Sequence, residues 1–177
     1  MPKKWQVLSS QDRGNFKVFS LRADKAKSPR TGGEHDFYVI DSPDWVNVIA
    51  VTTAQEVLMV RQYRHGIRDI TLELPGGLVG PGHTPLEAAR LELLEETGFQ
   101  AEEWQLLGSG YTQPAILSNR CHTYLAKGAE KAGELEQEET EDIEVVLIPL
   151  TQIPKLIREG EICHALVIAA FYWYFAS

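Results

Sequence analysis

Residues 74–99 read LPGGLVGPGHTPLEAARLELLEETGF, a glycine-rich loop running into a helical pattern. Thr84 suits the N-cap, Pro85 the first helical position, Glu87 completes a capping box, and Gly98 is a stop. At roughly 100° per residue, Leu86, Ala89, Leu93 and Thr97 share a core-facing stripe. Glu92, Glu95 and Glu96 fall within an arc of roughly 100° on the other side. Positions three and four apart are neighbours, so Glu92 faces two like charges, each repelling by roughly 0.2–0.5 kcal/mol in water. A divalent cation that prefers oxygen removes that penalty, and Mg²⁺ favours carboxylates completed by waters and phosphates. A solvated acidic face is the other reading these residues leave open. The loop favours the cation. Gly76 and Gly77 let the backbone approach a ligand closely, and a turn there can aim a carbonyl at the same ion. Gly77, Gly82, His83 and Thr84 echo phosphate-loop spacing, but the lysine that such a loop needs is missing.

Working outward, β-rich runs precede the loop. Trp45–Val51 and Val57–Val60 read as core strands, followed by the short strand Thr71–Leu74. Nearer the N-terminus, Trp5–Leu8, Phe16–Leu21 and Phe37–Ile40 are separated by Gly, Asp, Ser and Pro, which predicts a small antiparallel meander over residues 1–43. Such a meander has little core of its own and needs the main domain or a second subunit to cover one face. Beyond the helix, strands are expected near Trp104–Gly108, His122–Ala126 and Ile143–Ile148, with closing helices over Thr151–Glu159 and Ile162–Phe175. Mixed strands with few helices predict an α/β or α+β sandwich over residues 44–177.

Bulk properties fit one globular domain with a small appendage: 177 residues, 44% of them hydrophobic. A formal net charge of -8 argues against a nucleic-acid partner, which asks for a basic face. It permits a small anionic substrate, because a bound cation reverses the local sign. Cys121 and Cys163 have no metal-site spacing and are too few for a disulfide framework, so a reducing cytoplasm is expected. Lys3 and Lys4 lead into a mixed stretch rather than an export signal. Ala165–Phe175 is apolar but shorter than the roughly 20 residues needed to span a bilayer, so no membrane role is expected.

Gly77, Glu92, Leu93, Glu95, Glu96, Gly98 and Phe99 resemble the Nudix box, a long motif with fixed gaps. The resemblance implies an α/β/α sandwich with a mixed sheet and the box on a loop-helix-loop. It makes Glu92, Glu95 and Glu96 metal-binding residues for Mg²⁺ or Mn²⁺, with Glu95 also catalytic, and brings the Gly76 carbonyl into the metal shell. Two positions depart from the pattern: His83 stands where the family has Glu, and Leu91 where it has the Arg that steadies the glutamates. Arg90 cannot replace that arginine, since it lies roughly 140° from Glu95 on the wheel whereas Leu91 lies about 40° away. An imidazole at His83 could serve as ligand or proton carrier, or be a plain loop residue.

The flanks are similar to the ADP-ribose pyrophosphatase subfamily. Within the acidic run Glu134–Glu144, the positions of Glu139 and Glu141 match the loop that supplies a late catalytic glutamate, one of them to orient the attacking water. Pro114 also falls where that subfamily has a proline. Arg64 matches a phosphate-contacting arginine and Glu73 a structural or metal-proximal glutamate, with a surface salt bridge as the plain alternative. Trp5 and Phe16 sit near aromatics that stack adenine, although packing within the meander also accounts for them. The resemblance further implies a homodimer built through the N-terminal strands. The expected reaction is hydrolysis of ADP-ribose to AMP and ribose 5-phosphate. A different nucleotide sugar or dinucleotide, and a nucleotide-binding protein that no longer cleaves, are the alternatives.

Overall fold

The structure is a computed structural model that describes residues 1–133 and 142–177. The chain divides into two compact units: residues 1–43 with 111–120, and residues 44–110 with 121–177.

The first unit is built on a three-stranded antiparallel sheet: β1 (Gln6–Asn15), β2 (Ser20–Lys27) and β3 (Glu34–Asp41), in that order. The expected strand over Phe16–Leu21 is corrected here. Residues 16–19 form the turn between β1 and β2, with Lys17 at φ 66° and the Asn15 side chain accepting from its amide at 3.1 Å. Aromatic and β-branched residues signal a half-buried surface rather than extended backbone as such, so the pattern overran the turn. Residues 111–120 join the sheet through β3: Ile40 pairs with Leu117, and the Ile116 carbonyl accepts from the Ile40 amide at 2.8 Å. Arg22 on β2 bridges Asp24 and Asp41.

The second unit is a sandwich around a six-stranded mixed sheet. Its strands are β4 (Trp45–Val51), β5 (Glu56–Arg64), β6 (Asp69–Glu73), β8 (Glu103–Tyr111), β9 (Arg120–Lys127) and β11 (Ile143–Pro149), with β7 (Phe99–Gln100) and β10 (Glu130–Lys131) paired separately. The order is β11-β5-β4-β9-β8, with β6 on β5; β4 and β9 are parallel, while β5 is antiparallel to β4, β6 and β11. Alternation along the central strands sorts two cores. Val46, Val48, Ala50 and Leu58 pack with Ala88, Ala89 and Leu93 of α1 (Pro85–Thr97). Ile49, Val51, Val57 and Met59 pack with Ile153 of α2 (Ile153–Glu159) and with Val167, Ala170 and Phe171 of α3 (Ala165–Ala176). Opposite faces of a strand thus feed opposite helical layers, which is why β4 is buried along nearly its whole length. The α/β sandwich with a mixed sheet is as the sequence reading expected.

Helix α1 carries the expected ends. Thr84 and Glu87 form the reciprocal capping box, and Gly98 takes the left-handed conformation at φ 71°, its amide donating to the Leu94 carbonyl at 2.7 Å. The last helix starts at Ala165 rather than Ile162. Ile162 is fully buried and its amide returns to the Leu156 carbonyl, while His164 is extended (ψ 119°), so residues 161–164 link two helices instead of extending one. No helix among the described residues is long and apolar enough to cross a membrane.

Candidate active site

The loop after β6 is stitched to β4 by its backbone. Val48 donates to the Pro75 carbonyl and Val46 to the Gly77 carbonyl, each at 2.9 Å, and the Val79 amide donates to the Asp44 carbonyl at 2.8 Å. This close approach explains both glycines. A Cβ at residue 76 would strike the Val46 carbonyl and the Asn47 Cα, and one at residue 77 would land on the Glu92 carboxylate. The Gly76 amide donates to Glu96 Oε2 at 2.8 Å, and Glu96 is only 4% exposed. The loop and the helix therefore hold each other: one glycine clears space for Glu92, and the other orients Glu96.

The wheel placed Glu92, Glu95 and Glu96 together on an outward arc. The structure gives them different degrees of burial: Glu96 is buried, Glu92 is half-buried against Gly77, and Glu95 is exposed. Among the described residues, no group of three or more His, Cys, Asp or Glu side chains is drawn together as a metal cage. Two carboxylates seated at the Gly76–Gly77 turn, with Glu95 exposed on the same helix, fit the open kind of site that Mg²⁺ prefers, where waters and phosphate oxygens fill most positions. The loop glutamates Glu139 and Glu141 lie outside the described residues.

Arg64 and Glu73 come together as an ion pair. Arg64 Nε and Nη2 donate to the two Glu73 oxygens at 2.7 and 2.8 Å, and the Thr71 hydroxyl donates to Oε1 at 2.5 Å. Glu73 is 4% exposed, so the pair is not the surface bridge of the plain reading. Burial alone would push the Glu73 carboxyl up. The bonds from Arg64 and Thr71 outweigh it and hold the group below its usual range, with His164 adding a smaller favourable charge effect. Locking a guanidinium in a fork-to-fork pair fixes its plane, which is what a directed phosphate contact requires.

The box departures are placed as well. Leu91 is partly exposed on α1, and the last turn of the helix has no basic residue. The Arg90 guanidinium lies over the Trp104 ring at 5.7 Å, so it is engaged away from the glutamates, as its wheel position predicted. His83 is exposed, with its ring beside Gly80. Trp5 and Phe16 belong to the first unit. Trp5 meets His35 and Phe37 edge-on, Phe16 stacks on Phe19, and each remains about half exposed, so packing buries them less than expected.

Two side chains escaped the sequence reading. Asn47, a polar residue inside the apolar run WVNVIAV, accepts from the Thr123 hydroxyl at 2.6 Å and donates to the Leu166 carbonyl at 3.3 Å, tying β4 to β9 and to the first turn of α3. Its break in the apolar pattern was the available signal. His164, the N-cap residue of α3, has a buried Nδ1 with no hydrogen-bond partner among the described residues, and nothing in its local sequence announces that. An open cavity of about 630 Å³, lined by Val51, Thr52, Gln55, Tyr174 and Phe175 among others, lies at the other end of β4 from the glycine pair.

Comparison with known proteins bears on this geometry. The NUDIX domain family matches residues 42–171. The chain is 31% identical over 167 residues to the ADP-ribose pyrophosphatase of Mycobacterium tuberculosis, covering 93% of this chain and 80% of that one. It is 30% identical over 166 residues to the methanol dehydrogenase activator of Bacillus methanolicus, covering 93% and 89%. A solved ADP compounds hydrolase shares the fold, with a TM-score of 0.87 at 21% identity over 99% of this chain and 95% of that one.

Proposed function

The chain belongs to the NUDIX family of hydrolases, and from that premise we propose that it hydrolyses ADP-ribose to AMP and ribose 5-phosphate with a divalent cation, Mg²⁺ or in its place Mn²⁺. The observation that carries this reading is the buried Glu96 carboxylate held by the Gly76 amide, with Glu92 seated on Gly77 beside it. In the proposal Glu92 and Glu96 hold the cation, joined by Glu95 and the Gly76 carbonyl. Such an ion neutralises diphosphate charge and lowers the pKa of water.

The remaining roles fall to the chain's own groups. Glu73 keeps the Arg64 guanidinium in one plane to receive a phosphate oxygen, and Glu139 or Glu141 orients the attacking water and takes its proton. Trp5 and Phe16 are assigned to the adenine. Water adds to one phosphorus, the bridging P–O bond breaks, and each product leaves with one phosphate. The exposed apolar side chains of the N-terminal sheet, Val7, Leu8 and Tyr38 among them, support a homodimer built through residues 1–43. Two free cysteines accord with a cytoplasmic location.

Relatives named for other substrates, an ADP compounds hydrolase and a GDP-mannose pyrophosphatase among them, favour a second reading, in which another nucleoside-diphosphate derivative is the substrate. Product analysis on ADP-ribose, GDP-mannose and NADH with Mg²⁺ decides between the two, and turnover confined to GDP-mannose overturns the first. Glu96→Gln keeps the side-chain volume but removes the charge. It is expected to lower kcat at least about 100-fold, equivalent to about 2.7 kcal/mol of barrier, and full activity in that variant removes this helix from the chemistry.

A further inference from the structure

Charge is shared unevenly along this chain. Residues 1–43 hold eight Lys and Arg against five Asp and Glu, whereas the whole chain holds 17 against 25. An acidic protein thus carries a basic N-terminal unit, and that asymmetry points to an anionic ligand for the unit. Within it lies a cavity of about 590 Å³, lined by Lys3, Trp5, Ser28, Arg30, Thr31 and His35 together with two prolines. No Asp or Glu lines it among the described residues. Glu34 and Asp36 alternate with His35 along β3, so they face the other side of the sheet. Arg22 spends its charge on Asp24 and Asp41, but Lys3 and Arg30 enter no ion pair among the described residues.

The loop between β2 and β3 fixes one wall. The hydroxyl of the buried Ser28 accepts from the Arg30 and Thr31 amides at 3.3 Å each, and the Ser28 amide donates to the Gly33 carbonyl at 2.8 Å. A Cβ at residue 33 would crowd Nε2 of His35, so the glycine there leaves room for the ring. Trp5 meets that ring edge-on at 5.9 Å, with its indole about half exposed beside the cations. Three donors around one cavity suit a phosphate monoester, which at pH 7 carries a charge of about −1.5 to −2 and three acceptor oxygens.

Resting on the assignment of Trp5 to adenine above, we infer that this cavity reads a phosphate on the ribose of the adenosine. It thereby selects 2′- or 3′-phosphorylated ADP derivatives as substrate. Lys3, Arg30 and His35 hold that phosphate. The diphosphate is not the occupant, because that group is assigned to the cation and to Arg64. A ribose phosphate stays close to the base that shares its sugar, so a base on Trp5 brings it to the cavity wall.

The test compares kcat/KM of the whole chain, with Mg²⁺, on ADP-ribose, ADP-ribose 2′-phosphate and coenzyme A, whose adenosine bears a 3′-phosphate. Binding of 2′-AMP, 3′-AMP and 5′-AMP is followed separately by calorimetry. One of the two phosphorylated substrates is expected to exceed ADP-ribose about tenfold, through KM. Arg30→Gln and Lys3→Gln should each shrink that ratio several-fold, and Arg30→Lys, which keeps the charge, should shrink it less. Losses equal for every substrate assign these residues a structural role and overturn the inference. A wild-type chain that prefers ADP-ribose overturns it too, and leaves the functional reading standing. If no substrate is turned over, the functional reading falls by itself and calorimetry decides the cavity. Tighter binding of 2′-AMP or 3′-AMP than of 5′-AMP, with the margin lost in Arg30→Gln, sustains the ribose-phosphate site; equal affinities overturn it.

Discussion

The two sheets of this molecule are made of similar material and meet opposite fates. In the sandwich, β4 buries both of its faces, Val46, Val48 and Ala50 toward α1 and Ile49 and Val51 toward the layer of α2 and α3. In the N-terminal unit, β1 is exposed along almost its whole length, and Ala23 and Ala26 are the hydrophobic residues its sheet buries. The sandwich is held by apolar burial, whereas the smaller sheet leans on hairpin geometry and on polar bridges such as Ser10–Asp24 and Arg22–Asp41. Rigid placement of a reacting group needs the first kind of support, since jigsaw packing fixes position and surface bridges contribute little. The glycine loop and the glutamates sit on the sandwich.

That contrast can be broken from either side. Leu93, fully buried between α1 and the sheet, is the strongest lever: Leu93→Ala is expected to destabilise by about 2–5 kcal/mol, read by denaturant unfolding. Gly76→Ala drives a methyl into the β4 backbone, where nothing flexible can yield. A loss of about 1–3 kcal/mol is expected, together with an activity loss larger than stability explains, because the amide that holds Glu96 must move. Acid sharpens the comparison. The folded chain holds Glu73 below its ordinary value, so the pair's contribution is fully present above the unfolded glutamate pKa of about 4.3. It is lost as pH falls through the depressed folded value. Unfolding measured between pH 6 and 3 should show a slope that Glu73→Gln flattens. Asp41, held low by the Arg22 guanidinium, follows the same sign in the small sheet with a weaker effect, being more open to solvent. The smallest effect belongs to Val7→Ser and Tyr38→Ser, expected to change chain stability by about 0.5 kcal/mol or less each while weakening the proposed dimer, as light scattering across concentrations would reveal.

How much of this could be read from the residues follows the locality of the forces. Helix α1 was legible to its caps because Thr84, Pro85, Glu87 and Gly98 all act within a few residues of themselves. The same wheel misjudged Glu96. Three residues from Leu93 is about 60° of rotation, so Glu96 flanks the core stripe, and whether such a flank is buried depends on what covers it. The cover is Gly76, twenty residues away in sequence. Phe16–Leu21 was overread as a strand because composition reports the wish for burial and not the turn at Lys17. The pairing of Arg64 with Glu73 could be suspected from sequence, but its burial could not. Asn47 gave a faint sign as a lone amide among aliphatics, while its partner 119 residues away was out of reach of any local pattern.

That amide has a consequence for how the C-terminal helix can change. A purely greasy contact tolerates gradual sliding, since one methyl serves nearly as well as the next. Asn47 acts instead as an index pin: displacing α3 along its axis by one turn, about 5.4 Å, would carry the Leu166 carbonyl away from a buried carboxamide and leave its N–H without that acceptor. Drift of this helix is therefore stepwise, and insertions upstream of it must be absorbed in the short link after Gly160 rather than by a shift of register.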